Sequence, residues 1–189
     1  RDRQALPMSP TFSRLADLRV VRLNFSDTNL SEILGIEARC FPVGWQYPDA
    51  KEYYTQALHE PENLSLGLKV GQILIGYLLA TPYSSALRWV GNADPDMAAH
   101  DAVMYYVDTI GILPEWRGVG GATRILRKLE REATTRGALS LAMHARTANG
   151  FNILARRLAG SRLIRARWLD NWSWADGDPY EYMEWWCNR

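Results

Sequence analysis

Apolar and polar residues alternate from Val103 to Ile112, stop at Pro114, and give way from Ala122 to Arg136 to a repeat of 3.6 residues. A strand therefore passes through a glycine-rich turn into a helix. The alternation puts Val107 and Thr109 on one strand face and Tyr106, Asp108, Ile110 and Ile112 on the other. In the helix Ala122, Ile125, Leu126, Leu129 and Ala133 face inward, Arg124, Arg127, Lys128, Glu130 and Arg131 face solvent, and Gly137 is the stop. Upstream, Leu18–Asn24 reads as a strand, Asn29–Arg39 as a helix capped by Ser26 or Asp27, and Asp49–His59 as a second helix. Leu64–Val70 and Ile73–Ala80 form a hairpin about Gly71, and downstream Leu139–Ala145 is a strand and Asn149–Ala159 a helix. The order is β-α-α-β-β-β-α-β-α, which suits a mixed sheet with helices on both faces. Thr81–Asp101, carrying Pro82, Tyr83, Trp89, Pro95 and His100, is a long connection read either as an acceptor-side lid or subunit contact, or as a surface excursion. The Trp168–Trp186 tail is aromatic and reads as core or subunit contact.

The turn itself carries the chemistry. Arg117-Gly118-Val119-Gly120-Gly121-Ala122 offers amide N–H groups unshielded by side chains at the start of a helix, where the dipole and the unpaired donors favour an anion. A Walker loop is excluded because Gly-Gly-Ala-Thr stands where Gly-Lys-Ser/Thr is required. A dinucleotide fingerprint is excluded because Thr123 replaces its third glycine, and Leu141 and Ala142 stand where an acidic residue should end the next strand. The pattern that survives is Arg/Gln-x-x-Gly-x-Gly/Ala, met by Arg117, Gly120 and Ala122. Its alternative is a turn that uses glycine only for packing.

Composition narrows the class further. The chain of 189 residues is read as one domain, 1–189, since no linker divides it. A 47% hydrophobic and 23% charged composition is that of a globular protein, and no apolar run nears the ~18 residues a membrane span needs. Formal net charge is +1, which argues against binding nucleic acid through phosphate neutralisation. Arg146, Arg156, Arg157, Arg162, Arg165 and Arg167 nevertheless make one stretch basic, as a solvated face or as a contact with phosphates or an acidic acceptor. Two cysteines, Cys40 and Cys187, and the lack of a secretory apolar core in Arg1–Ser9 give the expectation of a reducing, cytoplasmic setting.

The Arg117–Ala122 pattern resembles motif A of the GNAT acetyltransferase superfamily, in which the loop holds the pyrophosphate of acetyl-CoA. The stretch Leu139–Gly160, with Asn149 followed by a glycine eleven residues on, is similar to motif B. A weaker likeness joins Ile36-Glu-Ala-Arg-Cys-Phe-Pro42 and Trp45 to ribosomal-protein N-terminal acetyltransferases. The resemblance covers about Leu18 to Leu163 and implies a mixed α/β fold: a central twisted, mostly antiparallel sheet, helices on both faces and a splayed central strand pair. It implies acetyl-CoA as cosubstrate, no metal, and an N-acetyltransferase acting on a primary amine, with a protein N-terminus or lysine as candidate acceptor; the aromatic tail makes a homodimer the candidate assembly. Carried over by residue, Ile110, Ile112, Arg117, Gly118, Val119, Gly120, Gly121, Ala122 and Asn149 would meet the cofactor. Asp108, Tyr106, the Ile110 N–H and Glu37 are the catalytic candidates, and Glu37, Trp45, Tyr47, Asp49 and Tyr83 the acceptor candidates. The family's thiolate-protonating tyrosine falls on Arg156 or Ala159, which leaves water, Tyr180 or Tyr182. Two other readings stay open: a GNAT-fold malonyl-CoA decarboxylase using Thr109 and His144, and a non-catalytic acyl-CoA-binding module.

Overall fold

The computed structural model describes residues 17–97, 103–170 and 178–187. Arg1–Ser9, His100 and Asp101 lie outside them. Among the described residues seven strands form one sheet in the order β1-β2-β3-β4-β5-β7-β6: β1 (Leu18–Arg22), β2 (Leu64–Val70), β3 (Ile73–Pro82), β4 (Met104–Ile112), β5 (Ser140–Arg146), β6 (Leu163–Leu169) and β7 (Tyr180–Trp186). Only β4 and β5 run parallel; all other neighbours are antiparallel. The helices are α1 (Asp27–Cys40), α2 (Ala50–His59), α3 (Tyr83–Val90), α4 (Gly121–Thr135) and α5 (Phe151–Ala159).

Two contacts show that helices cover both faces. On β2 the Leu68 side chain meets the first residue of α4, while across from its neighbour Gly67 stands Tyr77, whose hydroxyl is 2.7 Å from that of Tyr54 on α2. Successive residues of a strand face opposite ways, so α4 lies on one face and α2 on the other. The Ser26 hydroxyl accepts the Asn29 N–H at 3.1 Å and starts α1, and Ile33 and Ile36 turn its apolar stripe onto the sheet. In α4 the expected Ile125, Leu126, Leu129 and Ala133 are buried, but so is Glu130, expected outside. Its carboxylate accepts from Arg162 at 2.7 Å and from the Trp185 indole at 2.9 Å, which offsets the burial of a charge.

Three elements escaped the sequence reading. The Thr81–Asp101 connection contains α3, which buries Tyr83, Ala86 and Val90 in a second core with Met97, Met104, Tyr106, Ala142 and Tyr182. The aromatic tail contributes β7, with Tyr182 and Trp185 fully buried, while β6 is the outer strand, with Trp168 exposed. The arginine stretch is largely consumed by pairing inside the fold. Arg146 pairs with Asp178, Arg156 with Glu181, Arg162 with Glu130 and Arg167 with Asp94; Arg157 and Arg165 are exposed.

Candidate active site

Pairing between β4 and β5 ends at Val107 and Met143, after which the strands part. Asp108–Ile112 thus has a ladder on the β3 side and none on the β5 side. The Leu113 N–H donates to Ile75 on β3, and by strand alternation the N–H groups of Ile112 and Ile110 point the other way, into the wedge. Arg117 agrees with that orientation, its Nε donating to the Ile112 carbonyl at 2.9 Å.

A bulge sits at the vertex. Leu79 pairs with Thr109 and Ala80 with Val107, so Asp108 has no partner on β3 and the simple alternation expected for this strand fails. One inserted residue re-aims its neighbours. Thr109 lies beside the Tyr77 hydroxyl, and Asp108 reaches Tyr53 of α2, whose hydroxyl donates to Asp108 Oδ2 at 2.9 Å. Among the described residues Asp108 Oδ1 has no hydrogen-bond partner. Burial pushes the Asp108 carboxyl up to about 7, and the Tyr53 bond only partly opposes it.

The wedge opens into a cleft of about 1530 Å³. At one end lies the glycine loop. Gly120 lines the cleft with φ +83°, a left-handed conformation costly to other residues, and a Cβ built on it meets nothing within 4 Å. Gly121 serves packing instead: a Cβ there would stand 2.7 Å from Leu68 Cδ2. The first intrahelical bond of α4 runs from Arg124 N–H to Gly120 O, which leaves the amides before it available to an anion. Bare amides at a helix start, a nearby guanidinium and a polar strand edge fit a diphosphate with an amide-bearing arm.

At the other end the wall is aromatic and acidic. Tyr47 stacks on Tyr53 with ring centroids 4.1 Å apart, and its N–H donates to Glu37 Oε1 at 3.0 Å. Glu37 is 3% exposed, lines the cleft, and among the described residues has no hydrogen-bond partner for Oε2. Trp45 lies under the Arg146 guanidinium, 3.2 Å from its ring centroid, closing the cleft between the α1–α2 turn and β5. Tyr106 also lines the cleft, and its hydroxyl is 2.8 Å from His144 Nδ1. Burial lowers the His144 pKa, and the neighbouring Asp94 only partly restores it.

Of the candidates drawn from the sequence, Glu37, Trp45, Tyr47, Tyr106, Asp108, Ile110, Ile112, Arg117, Gly118, Gly120, Gly121, Ala122 and Asn149 line this one cleft. Val119 does not line it. Asn149 uses its side-chain oxygen to accept the Phe151 N–H at 3.0 Å, at the start of α5. Asp49 is exposed at the start of α2, outside the cleft lining. Tyr83 is buried under α3 with its hydroxyl 3.2 Å from that of Tyr182, because the connection folds into a helix that packs on the sheet. Arg156 is tied to the buried Glu181 and Ala159 is in the core, so neither reaches the cleft; Tyr180 lines it, and Tyr182 instead donates to Glu184. Thr109 and His144 both line the cleft but belong to different clusters, one with Tyr77 and the other with Tyr106 and Asp94. The sequence reading missed Tyr53 and Asp94. Tyr53 was within reach, since it follows the acceptor candidate Asp49 by one helical turn.

The sequence model of the acetyltransferase (GNAT) family matches residues 30–163. The chain belongs to that family. It is accordingly an acyltransferase enzyme, and the match spans α1 through the start of β6, including the glycine loop and the wedge. No curated protein sequence matches. Among solved structures, the ribosomal-protein-S18-alanine N-acetyltransferase of Escherichia coli is similar over 91% of this chain and 95% of its own, with TM-score 0.64 and 16% identity. Arabidopsis thaliana NAA60, solved in complex with acetyl-CoA, is similar over 89% and 99%, with TM-score 0.68 and 15% identity. An aminoglycoside 6'-N-acetyltransferase complexed with coenzyme A is similar over 90% and 98%, with TM-score 0.64 and 12% identity. At these identities the likeness establishes the shared GNAT fold, a mixed α/β sheet that is mostly antiparallel. Among the described residues no helix is long and apolar enough to cross a membrane, and no group of three or more His, Cys, Asp or Glu side chains could hold a metal ion.

Proposed function

We propose that this GNAT enzyme transfers the acetyl group of acetyl-CoA to a primary amine by direct attack, and that the acceptor amine is the α-amine of a peptide or protein N-terminus. The observation that carries the reading is the convergence of three groups on one cleft: the glycine loop, the wedge-facing Ile110 N–H and the unpartnered Asp108 Oδ1. The loop amides of Gly120–Ala122 and Arg117 bind the diphosphate, and the open β4 edge takes the pantetheine amides as an added strand. The Ile110 N–H then faces the thioester carbonyl. One preorganised donor of this kind contributes about 3 to 4 kcal/mol to the transition state.

The acceptor arrives as an ammonium ion and must lose one proton before it attacks. Asp108 Oδ1 accepts it. Passing a proton to a group near 7 costs about 1.4 kcal/mol from an α-amine near 8 and about 4.6 kcal/mol from a lysine near 10.4. That difference favours the N-terminal acceptor, which Glu37 and the Tyr47–Tyr53 wall would hold. After C–N bond formation the nitrogen carries a second surplus proton, while the departing CoA sulfur needs one. Tyr106 and His144 can move it: nitrogen to the Tyr106 oxygen as the Tyr106 proton passes to His144 Nδ1, then back through Tyr106 to sulfur as the C–S bond breaks. This accounts for protonation of the thiolate in a chain whose motif B tyrosine position falls on Arg156 or Ala159. Nothing favours decarboxylation, since Thr109 and His144 are committed to separate clusters.

The test is CoA release from acetyl-CoA with a panel of free-N-terminal peptides, Nα-acetyl-lysine peptides and polyamines, alongside malonyl-CoA alone. Peptide N-termini are expected to be turned over fastest. Carbon dioxide from malonyl-CoA without an amine would overturn the reaction, and preference for lysine or polyamine would overturn the acceptor.

A further inference from the structure

Asp94 lies between α3 and β4, in the connection the sequence left unexplained. It is 2% exposed, and its Oδ2 receives two donors: His144 Nε2 at 2.8 Å and Arg167 at 2.5 Å. Arg167 stands on β6, so one carboxylate joins the α3 connection, the central strand β5 and the outer strand β6. On its other side His144 meets Tyr106. The chain Tyr106–His144–Asp94–Arg167 therefore leads from the cleft lining back into the fold. The Tyr182 ring of β7 lies 4.9 Å from the His144 ring, Trp89 of α3 packs edge-on against Tyr106, and the exposed Asp96 is 3.5 Å from Arg167.

The donor inventory fixes the protons. A carboxylate has no hydrogen to give and arginine no lone pair to receive one, so the hydrogen between His144 and Asp94 sits on Nε2. A neutral imidazole then has a bare Nδ1, which accepts the Tyr106 O–H; the His144 backbone bonds the phenolic oxygen as well, which leaves one lone pair for a group in the cleft. The opposite tautomer would set a bare Nε2 against the Asp94 carboxylate, two acceptors 2.8 Å apart with no hydrogen between them.

From this geometry we infer that Asp94 is a positioning residue of the acetyl transfer, holding His144 in the Nε2–H tautomer so that the Tyr106 hydroxyl can relay a proton, with Arg167 as the counter-charge. The inference rests on the acetyl-transfer reading for its catalytic consequence, but not for the tautomer. Asp94 touches neither substrate; the α3 connection thereby acquires the task of delivering it. When His144 takes the proton from Tyr106, Asp94 stabilises the resulting imidazolium, and the ring gives the proton back through Tyr106 to sulfur. Burial raises the Asp94 carboxyl, but the bonds from His144 and Arg167 outweigh it and hold it below its ordinary value, so it is ionised throughout this cycle.

The experiment is Asp94→Asn, read in two ways. First, ¹⁵N NMR of the histidine-labelled protein, assigned with His144→Gln, is expected to show a bare Nδ1 and protonated Nε2 in the wild type at pH 8, and loss of that tautomer preference in Asp94→Asn. Second, kcat on an accepted amine is expected to fall about 10²- to 10⁴-fold with the KM and Kd for acetyl-CoA unchanged, a range set by general acid–base catalysis and by wrong-tautomer variants elsewhere. A merely structural role would lower stability and cofactor affinity while leaving the tautomer and kcat alone. An Nδ1–H tautomer in the wild type, or full kcat in Asp94→Asn, overturns the inference. If the wild type turns over no amine, the acetyl-transfer reading fails, while the NMR arm still decides whether Asp94 sets the ring. Should Asp94→Asn fail to fold, Arg167→Gln leaves Asp94 and His144 in place and removes the counter-charge with its bond to Asp94, and His144 is then expected to titrate at higher pH; an unmoved titration counts against the network.

Discussion

Replacing Asp108 with asparagine should make the protein more stable and the enzyme nearly inactive. Asparagine keeps an oxygen to accept the Tyr53 hydroxyl and puts an uncharged amide where the unpartnered Oδ1 now faces the cleft. In the wild type, burial raises the Asp108 carboxyl from the ordinary 3.8 to about 7. The folded state thus binds a proton more tightly than the unfolded state, and between about pH 4 and 7 stability falls as pH rises. The shift of about three units corresponds to about 4 kcal/mol at 1.36 kcal/mol per unit, fully expressed above pH 7 and absent below pH 4. Urea denaturation of both proteins at pH 4.5, 6 and 8 measures this directly. Asp108→Asn is expected to be close to the wild type at pH 4.5 and more stable by up to about 4 kcal/mol at pH 8, with kcat lower by about 10²- to 10⁴-fold. A stability difference independent of pH would refute the raised carboxyl, and full turnover would refute its role as base.

Other perturbations reach other parts of the account. The acid limb of kcat/KM should rise with pH and level off near 7, and Tyr53→Phe, which removes the bond favouring the carboxylate, should move that limb up by about one unit; a stationary limb would mean that another group is titrating. Glu130→Ala takes the acceptor from the buried Trp185 indole, while the partly exposed Arg162 keeps the Leu158 and Trp186 carbonyls, so urea denaturation should show a loss of about 1 to 3 kcal/mol with acetyl-CoA affinity kept in the folded protein.

The parts of the site that could be read from sequence are those written in local spacing. The glycine loop is contiguous, its exclusions depend on single residues such as Thr123 and Ala122, and the 3.6-residue repeat of α4 follows at once. The parts that could not be read depend on contacts across the sheet. Nothing local marks the bulge at Asp108, which comes from the register of β4 on β3 and turns Asp108 toward Tyr53. Asp94 and His144 are fifty residues apart and meet only because α3 packs beside β4 and β5. The arginines between Arg146 and Arg167 looked like a solvated or phosphate-binding face because their carboxylate partners lie on other elements, among them Glu130 on α4 and Glu181 on β7. Strands β6 and β7 were hidden for a related reason: β7 is buried along nearly its whole length, including Glu181 and Glu184, so its polar and apolar residues do not alternate with exposure.

Acetyl-CoA binding by the glycine loop is the claim on which the rest depends, and calorimetric titration of the wild type and Gly120→Asp tests it most directly. The substitution places a carboxylate in the open space beside the loop, at a left-handed position that aspartate tolerates better than most residues. Micromolar affinity in the wild type, lost in a variant whose far-UV circular dichroism is unchanged, is the predicted result. Equal affinity in both proteins, or none in the wild type, would contradict the assignment of Arg117–Ala122 as the diphosphate site.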